Sequence, residues 1–371
     1  RLLPPAERAV LRAYVDGVNA GLAALGAPPP EYLLLRQTPK RWSEADSFLV
    51  VLSMFLAQQD STGAYESMVA TLHDTLPTAM ADFLTPRGTS WDTPILGDAF
   101  AVAAIPGPEI HDPRAQAART QPAPGTPVPS PRALGPRTWP ETFAALATGT
   151  QTSERGFGSN NFAVSGAHTA DGRALLANDM HLTIRVPNTW YRMGLAWTDA
   201  DAPDGHHRLD GVTLPGVPSL VAGSNRHIAW GFTTTFGDWS DVVLLERDGA
   251  DRTRYRTPEG PQPFEHFDEV IAVAGQAPVH LPVDWTIWGP RLPPDHRGRD
   301  RAIRWTGHDA EKIATSLFPM ETARSRSEGI ESAGWAGTPA FNQIIASADG
   351  RIAWTVYGGM PRRDGLDGRV P

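Results

Sequence analysis

The sequence predicts an α+β fold, on three observations. The first hundred residues carry apolar side chains at helical spacing. Ten prolines then fall between Pro106 and Pro140, and from Ser159 onward short alternating runs recur between turn signals. Helices first, then many strands with one helix among them, argue for helices layered on sheet rather than for a parallel alternating fold. The expected division is a helical portion over 1–105, a Pro-rich linker or spacer over 106–158, and a β-rich portion over 159–371.

In 6-AERAVLRAYVDGVNAGLAAL-25, Leu11, Tyr14, Val15, Val18 and Leu22 recur every three or four residues, which predicts an amphipathic helix. Ser43 and Glu44 open the next, with a capping hydroxyl and an early acid against the helix dipole. Its run 48-FLVVLSMFLA-57 is the longest apolar stretch, long enough for one strongly buried helix and too short to span a bilayer. A third helix is predicted over 64-AYESMVATLHDTL-76. Between Pro106 and Pro140, proline removes backbone donors and the remaining Ala, Gly, Ser and Thr bury little, so an extended linker is expected. Such segments are where proteolysis concentrates.

Strands are predicted at 162–166, 174–178, 190–197, 227–232, 241–246, 268–273, 302–306, 341–348 and 352–357. Asp171-Gly172 and Asp349-Gly350 join two of the pairs, and Asp-Gly between alternating runs is a strong hairpin signal. One helix is expected near 321–335. His206-His207 and the arginine-rich 297-RGRDRAIR-304 read as solvated loop and surface.

Composition excludes several chemistries. The 371 residues have 41% apolar and 20% charged side chains, as in a globular protein. A formal charge of −8 offers no basic face for nucleic acid. Cysteine is absent, so disulfides, thiolate metal sites and a cysteine nucleophile are excluded. The only lysines are Lys40 and Lys312, and no Ser-x-x-Lys pair is present, which argues against a serine–lysine hydrolase. The sequence opens on Arg1 without a visible signal peptide and closes on 369-RVP-371, so it reads as part of a longer chain.

The stretch 156-GFGSNNFAVSG-166 places Gly158 and Ser159 where the Pro-rich segment gives way to strand. Gly, Ser and Asn are turn formers, so an ordinary turn is one reading. The other is that the chain is cut before Ser159. A serine hydroxyl needs a base to take its proton. As a first residue, Ser159 carries its own base, an α-amine whose reference pKa of about 7.7–8.0 leaves a useful neutral fraction near pH 7. Gly158 lets the backbone bend into the geometry that attack by the Ser159 hydroxyl on the preceding carbonyl requires.

The run 158-GSNNFAVSGAHTADGRALLANDMHL-182 closely resembles the start of the catalytic chain of the penicillin acylase family of N-terminal nucleophile hydrolases. The family's serine-asparagine-asparagine-aromatic start matches Ser159, Asn160, Asn161 and Phe162, although tryptophan is more usual at the last. Its hairpin matches 169-TADG-172, and its leucine-alanine-asparagine-aspartate segment matches 176-LAND-179. The resemblance continues through 214-LPGVPSLVAGSNRHIAWGFTTTFGDWSD-241, and 13-AYVDGVNAGL-22 fits the family's small chain. It implies a four-layer αββα sandwich, self-cleavage at Gly158–Ser159, a small and a large chain from one precursor, and export to the periplasm or beyond. The implied activity is hydrolysis of an N-acyl amide: a β-lactam side chain, an N-acyl-homoserine lactone or another N-acylated amine. An uncut, inactive scaffold that serves in binding or structure is the rival. No organic cofactor is implied.

The resemblance also assigns roles. His181 falls where the family has a histidine or glutamine that orients the nucleophile. The spacing of 22 residues from Ser159 suits an out-and-back hairpin that returns one strand's end beside the other's start, although a lone histidine is more often structural. Thr234 matches the residue whose backbone N–H forms half of the oxyanion hole, the other half being an asparagine expected further along. Asp238 and Asp241 match carboxylates that hold a structural Ca²⁺ in several family members. Glu66 matches the acid from the small chain, and the backbone carbonyls of Ser240 and Pro361 are further ligands. Oxygen donors suit Ca²⁺, but two aspartates three apart after a strand also commonly cap a loop.

Overall fold

The computed structural model of the protein describes residues 3–94, 98–99, 101–110, 112, 159–182, 184, 186–198, 205–309, 313, 318–335, 337–365, 368 and 371. Most of the Pro-rich stretch and Gly158 lie outside these residues. The chain forms two compact units, Arg1–Glu66 with Gly158–Pro371, and Ser67–Phe157.

Helices come first: α1 (Pro5–Ala23), α2 (Pro30–Leu35), α3 (Glu44–Gln58), α4 (Ala64–Thr75) and α5 (Thr78–Leu84). The short α2 and α5 were not expected, because six or seven residues hold too few turns for periodicity to show. Helix α3 starts where the Ser43 N–H donates to Asp46 Oδ2 at 2.7 Å. It buries Ser47, Val51 and Phe55, whereas Leu49 and Leu56 are exposed. The apolar run 48–57 is therefore buried on one face, not all round.

The strands in chain order are β1 (Asn160–Val164), β2 (Leu175–Asp179), β3 (Tyr191–Thr198), β4 (His206–Thr213), β5 (Ala222–Ser224), β6 (Ile228–Thr234) and β7 (Ser240–Leu244). Next come β8 (Arg254–Tyr255), β9 (Gln262–Pro263), β10 (Glu265–Ile271), β11 (Val279–Thr286), β12 (Gly289–Leu292) and β13 (Arg301–Trp305). After the helices α6 (Phe318–Thr322) and α7 (Arg326–Glu331) follow β14 (Phe341–Ser347) and β15 (Ile352–Tyr357). A six-stranded sheet has the order β15-β14-β6-β5-β4-β3, and a five-stranded sheet the order β10-β11-β12-β13-β7. Strands β1 and β2 form a separate antiparallel pair. The fold is α+β.

Ile228 and Trp230 of β6 and Ile345 of β14 bury against Met320 of α6 and Ala333. Gly329 lets α7 approach them, since a Cβ there would lie 2.9 Å from Ile345 Cδ1. A second core joins Val51 and Phe55 of α3 to Ile303 and Trp305 of β13. Truncating a buried aliphatic such as Ile345 to alanine costs about 2–5 kcal/mol.

Three expectations are corrected. The single helix near 321–335 is two short ones, because the Ser325 hydroxyl accepts the Glu328 N–H at 3.2 Å and starts a new helix there. The Asn225 amide also reaches the Glu321 and Ala323 carbonyls at 3.1 and 2.6 Å, which closes off α6. His206 and His207 begin strand β4 rather than a loop, and His207 stacks on Trp197 at 4.9 Å. Within 297–304, Arg301–Arg304 belong to β13, where Ala302 and Ile303 are buried.

Burial pushes the Glu321 carboxyl up to about 7, against the Leu220 N–H that donates to its Oε1 at 2.7 Å. Its folded pKa lies above the unfolded value, so its contribution to stability is complete below about pH 4.5 and is lost as pH rises through about 7. Glu321→Gln keeps an acceptor for Leu220 without the buried charge. The variant is expected to gain on the order of 3 kcal/mol over the wild type at pH 8 relative to pH 4. Thermal unfolding at both values checks this; parallel shifts at the two pH values would contradict it.

Candidate active site

The β1–β2 ladder pairs Asn160 with Asp179 and Val164 with Leu175. Ten residues join the two strands, with a short 3₁₀ turn at Gly166–His168, so the connection is longer than a simple Asp-Gly hairpin. Its tip is fastened by the Gly166 N–H, which donates to the Gly350 carbonyl at 2.8 Å. A ladder that closes at Asn160–Asp179 carries His181 back beside Ser159. The His181 backbone N–H donates to Ser159 Oγ at 3.2 Å. The imidazole turns elsewhere: its Nε2 lies 3.0 Å from Asp179 Oδ2 and 3.3 Å from Asn160 Nδ2. His181 thus meets the serine through its main chain, and its ring is held by the exposed Asp179.

Ser159 lies on the wall of a mostly apolar pocket. Val51 and Met54 of α3 line it, with Leu182, Trp190, Leu214 and Phe232, and none of its lining side chains is charged. Thr234, at the end of β6, lines the same pocket. Phe162 does not; it pairs with Ala177 and is 58% exposed.

Which way the Thr234 N–H points follows from alternation. Phe232 uses both main-chain groups on the Asn178 side chain: its N–H donates to Oδ1 at 3.1 Å and its carbonyl accepts from Nδ2 at 2.9 Å. Phe232 is therefore a non-bonded partner of Gln343 in the β6–β14 ladder. Thr234, two residues on and opposite Phe341, has the same parity, so its N–H faces away from β14. Strand β5 pairs only as far as Trp230 and leaves that side of Thr234 without a ladder partner.

Four residues of the expected metal site, Glu66, Asp238, Ser240 and Asp241, lie together, around a cation of the chain's own. Arg363 Nε donates to Asp241 Oδ1 at 2.6 Å, and its terminal nitrogen lies 3.1 Å from Asp238 Oδ2. That nitrogen also reaches the carbonyls of Asp238 and Ser240 at 3.3 and 3.5 Å. Glu66 accepts a short hydrogen bond from the Val242 N–H. Gly63, at φ +63°, brings Glu66 there, and a Cβ on it would lie 2.5 Å from Val242 Cγ2. Burial pushes the Glu66 carboxyl up to about 8, with Asp241 and Asp238 adding repulsion and the Val242 N–H and Arg363 opposing. Burial also raises Asp238, against Arg363. Among the described residues, no three His, Cys, Asp or Glu side chains are arranged to hold a metal. In this arrangement the donors do not fit a Ca²⁺ ion, because Arg363 takes two of the carboxylates. Sequence reasoning missed Arg363, which lies 122 residues from Asp241 with no local pattern to signal the pairing.

The sequence profile of the penicillin amidase family matches residues 1–371, and the chain belongs to that family. The acyl-homoserine lactone acylase QuiP of Pseudomonas aeruginosa is 28% identical over 228 residues, which cover 57% of this chain and 26% of that protein. The penicillin acylase 2 proenzyme of Pseudomonas sp. strain SE83 is 30% identical over 368 residues, 98% of this chain and 43% of that protein. A thermostable penicillin G acylase from Alcaligenes faecalis aligns in structure with a TM-score of 0.49 and 23% identity, over 56% of this chain and 37% of that one. The chain thus spans less than half the length of these relatives.

Removing Arg363 leaves Asp241 and Asp238 as partly buried charges without their partner. Arg363→Gln is expected to lower stability by about 2–4 kcal/mol, measured by denaturant unfolding. The wild type is expected to unfold at the same temperature with millimolar calcium or with a chelator. A fall of several degrees in chelator would show that the ion displaces the guanidinium.

Proposed function

We propose that this chain carries the nucleophile and the acyl pocket of an N-terminal nucleophile amidohydrolase. The observation that carries this is Ser159 Oγ, held by a main-chain N–H on the wall of an uncharged apolar pocket that Thr234 also lines. In this reading Gly158–Ser159 is cut, and the freed α-amine takes the hydroxyl proton as Ser159 attacks an amide carbonyl. The His181 N–H steadies the oxygen as it gains charge. The Thr234 N–H, facing away from β14, supplies a donor to the oxyanion; one such donor is worth about 10²–10³ in rate. The α-ammonium returns that proton to the amide nitrogen as the C–N bond breaks and the amine leaves, and the neutral α-amine then takes a proton from the water that frees the acid and returns it to the serine oxygen.

The pocket lining supports an uncharged, apolar acyl group, aliphatic or aromatic, on the acid side. The relatives' names suggest two amines, the lactam nucleus of a penicillin and a homoserine lactone. A four-layer αββα sandwich is the architecture this reading carries. It is supported by α7 packing at Ile345 on one face of the six-stranded sheet and by Asn178 lying over Gly231, which alternation puts on the other. The reading also includes a small and a large chain cut from one precursor, and export to the periplasm. No described helix is long and apolar enough to cross a membrane.

Ser159→Ala in the full-length protein is the test. The wild type is expected to separate into two chains, the larger beginning Ser-Asn-Asn-Phe on N-terminal sequencing. The variant is expected to remain one chain and to lose amide hydrolysis by at least ~10⁴-fold. A single uncut polypeptide that hydrolyses the amide, or a variant that matures normally, would reject the reading in favour of an uncut scaffold or another nucleophile.

A further inference from the structure

We infer that Asn178 is a positioning residue that sets the nucleophile strand against the strand of the oxyanion donor; the inference rests on the hydrolase reading above. One planar amide makes three main-chain contacts. Its Oδ1 accepts the Phe232 N–H at 3.1 Å, and its Nδ2 donates to the Phe232 carbonyl at 2.9 Å and to the Asn160 carbonyl at 3.1 Å. Both Nδ2 hydrogens are committed, and the contacts to Phe232 fix which end of the amide is oxygen. Asn160 directly follows Ser159, and Phe232 lies two residues before Thr234. The side chain therefore stands between the two groups that the chemistry must hold in register.

Its place in the fold shows why a side chain does this work. Strand β5 stops pairing at Trp230, so β6 runs on past its neighbour with the Phe232 N–H and carbonyl open on that side. Asn178 fills the gap as a strand residue would, and holds β6 two residues before Thr234. Gly231 makes the room. A Cβ on Gly231 would lie 2.8 Å from Asn178 Cβ and 2.9 Å from its Oδ1. Two residues on different strands are thus built for one contact.

Neither Asn178 nor Gly231 lines the pocket. Loss of the clamp should therefore change the rate of the chemical step and not the binding of the acyl group. Misplacement of a reacting group by about 1 Å costs on the order of 10²-fold. In the full-length protein, Asn178→Ala is expected to lower kcat by about 10²-fold with KM within about threefold. Asn178→Asp keeps the acceptor for Phe232 but sets a carboxylate against two carbonyls, and is expected to be no better. Gly231→Ala keeps Asn178 and evicts it, and is expected to reproduce the same split. Hydrogen exchange in Ile228–Thr234 should quicken in all three, with thermal unfolding and the exchange of β13 near those of the wild type. Wild-type kcat in Asn178→Ala, or a rise in KM at constant kcat, would overturn the inference alone, provided Ser159→Ala is inactive. A wild type without Ser159-dependent hydrolysis would sink the hydrolase reading and this inference with it.

Discussion

Everything at the site depends on one antiparallel ladder, the five pairs from Asn160–Asp179 to Val164–Leu175. Antiparallel pairing makes the start of one strand and the end of the other neighbours. Ser159 precedes the first and His181 follows the second, so the ladder itself brings the His181 N–H to the serine oxygen. A slip of one residue would also reverse the face of every side chain in the strand. Asn178 would then leave Phe232, and the serine would lose its register with β6.

The second constraint is the uneven length of the six-stranded sheet. Strand β5 has three residues and β6 has seven. The overhang leaves main-chain groups of β6 without sheet partners, and those groups face the β1–β2 hairpin. An open edge is normally a liability for a folded protein. Here part of it is covered by a side-chain amide, and the rest opens beside an apolar pocket. The pocket also needs the helical portion of the chain. Helix α3 contributes Val51 and Met54, and the Gly216 N–H donates to Tyr14 of α1 at 3.0 Å. Gly216, at φ +104°, turns the chain between Leu214 and Val217, and a Cβ on it would strike the Trp42 ring. The loop that walls the pocket is therefore braced from α1 and from the segment before α3.

The sequence showed the hairpin and the serine better than it showed their surroundings. The Asp349-Gly350 turn between two runs rich in Ile, Val and aromatic residues marks β14 and β15. Strand β4 carries His, Arg or Asp at half of its positions and buries only Leu209 and Thr213, so it resembles a loop. Strand β11 escaped because Pro282 interrupts its pattern, which an edge-exposed ribbon tolerates. Ser159, His181 and Thr234 were singled out by a family resemblance that spans motif and order, and the structure puts Ser159 and Thr234 on one pocket with the His181 N–H at the serine oxygen. At His181 the main-chain N–H meets the serine oxygen, while the ring turns to Asp179. Arg363 and Asn178 act through distant partners, and spacing along a chain carries no trace of contacts made across 122 or 54 residues.

The central claim is that the Ser159 oxygen becomes acylated. Mixing the mature full-length protein with an amide of an apolar carboxylic acid, quenching in acid within the first turnovers and mapping peptides by mass spectrometry would test it directly. The account predicts one added acyl group, on a peptide that begins at Ser159. Hydrolysis that proceeds with the acyl group on another residue, or with that peptide unmodified throughout the burst, would contradict it.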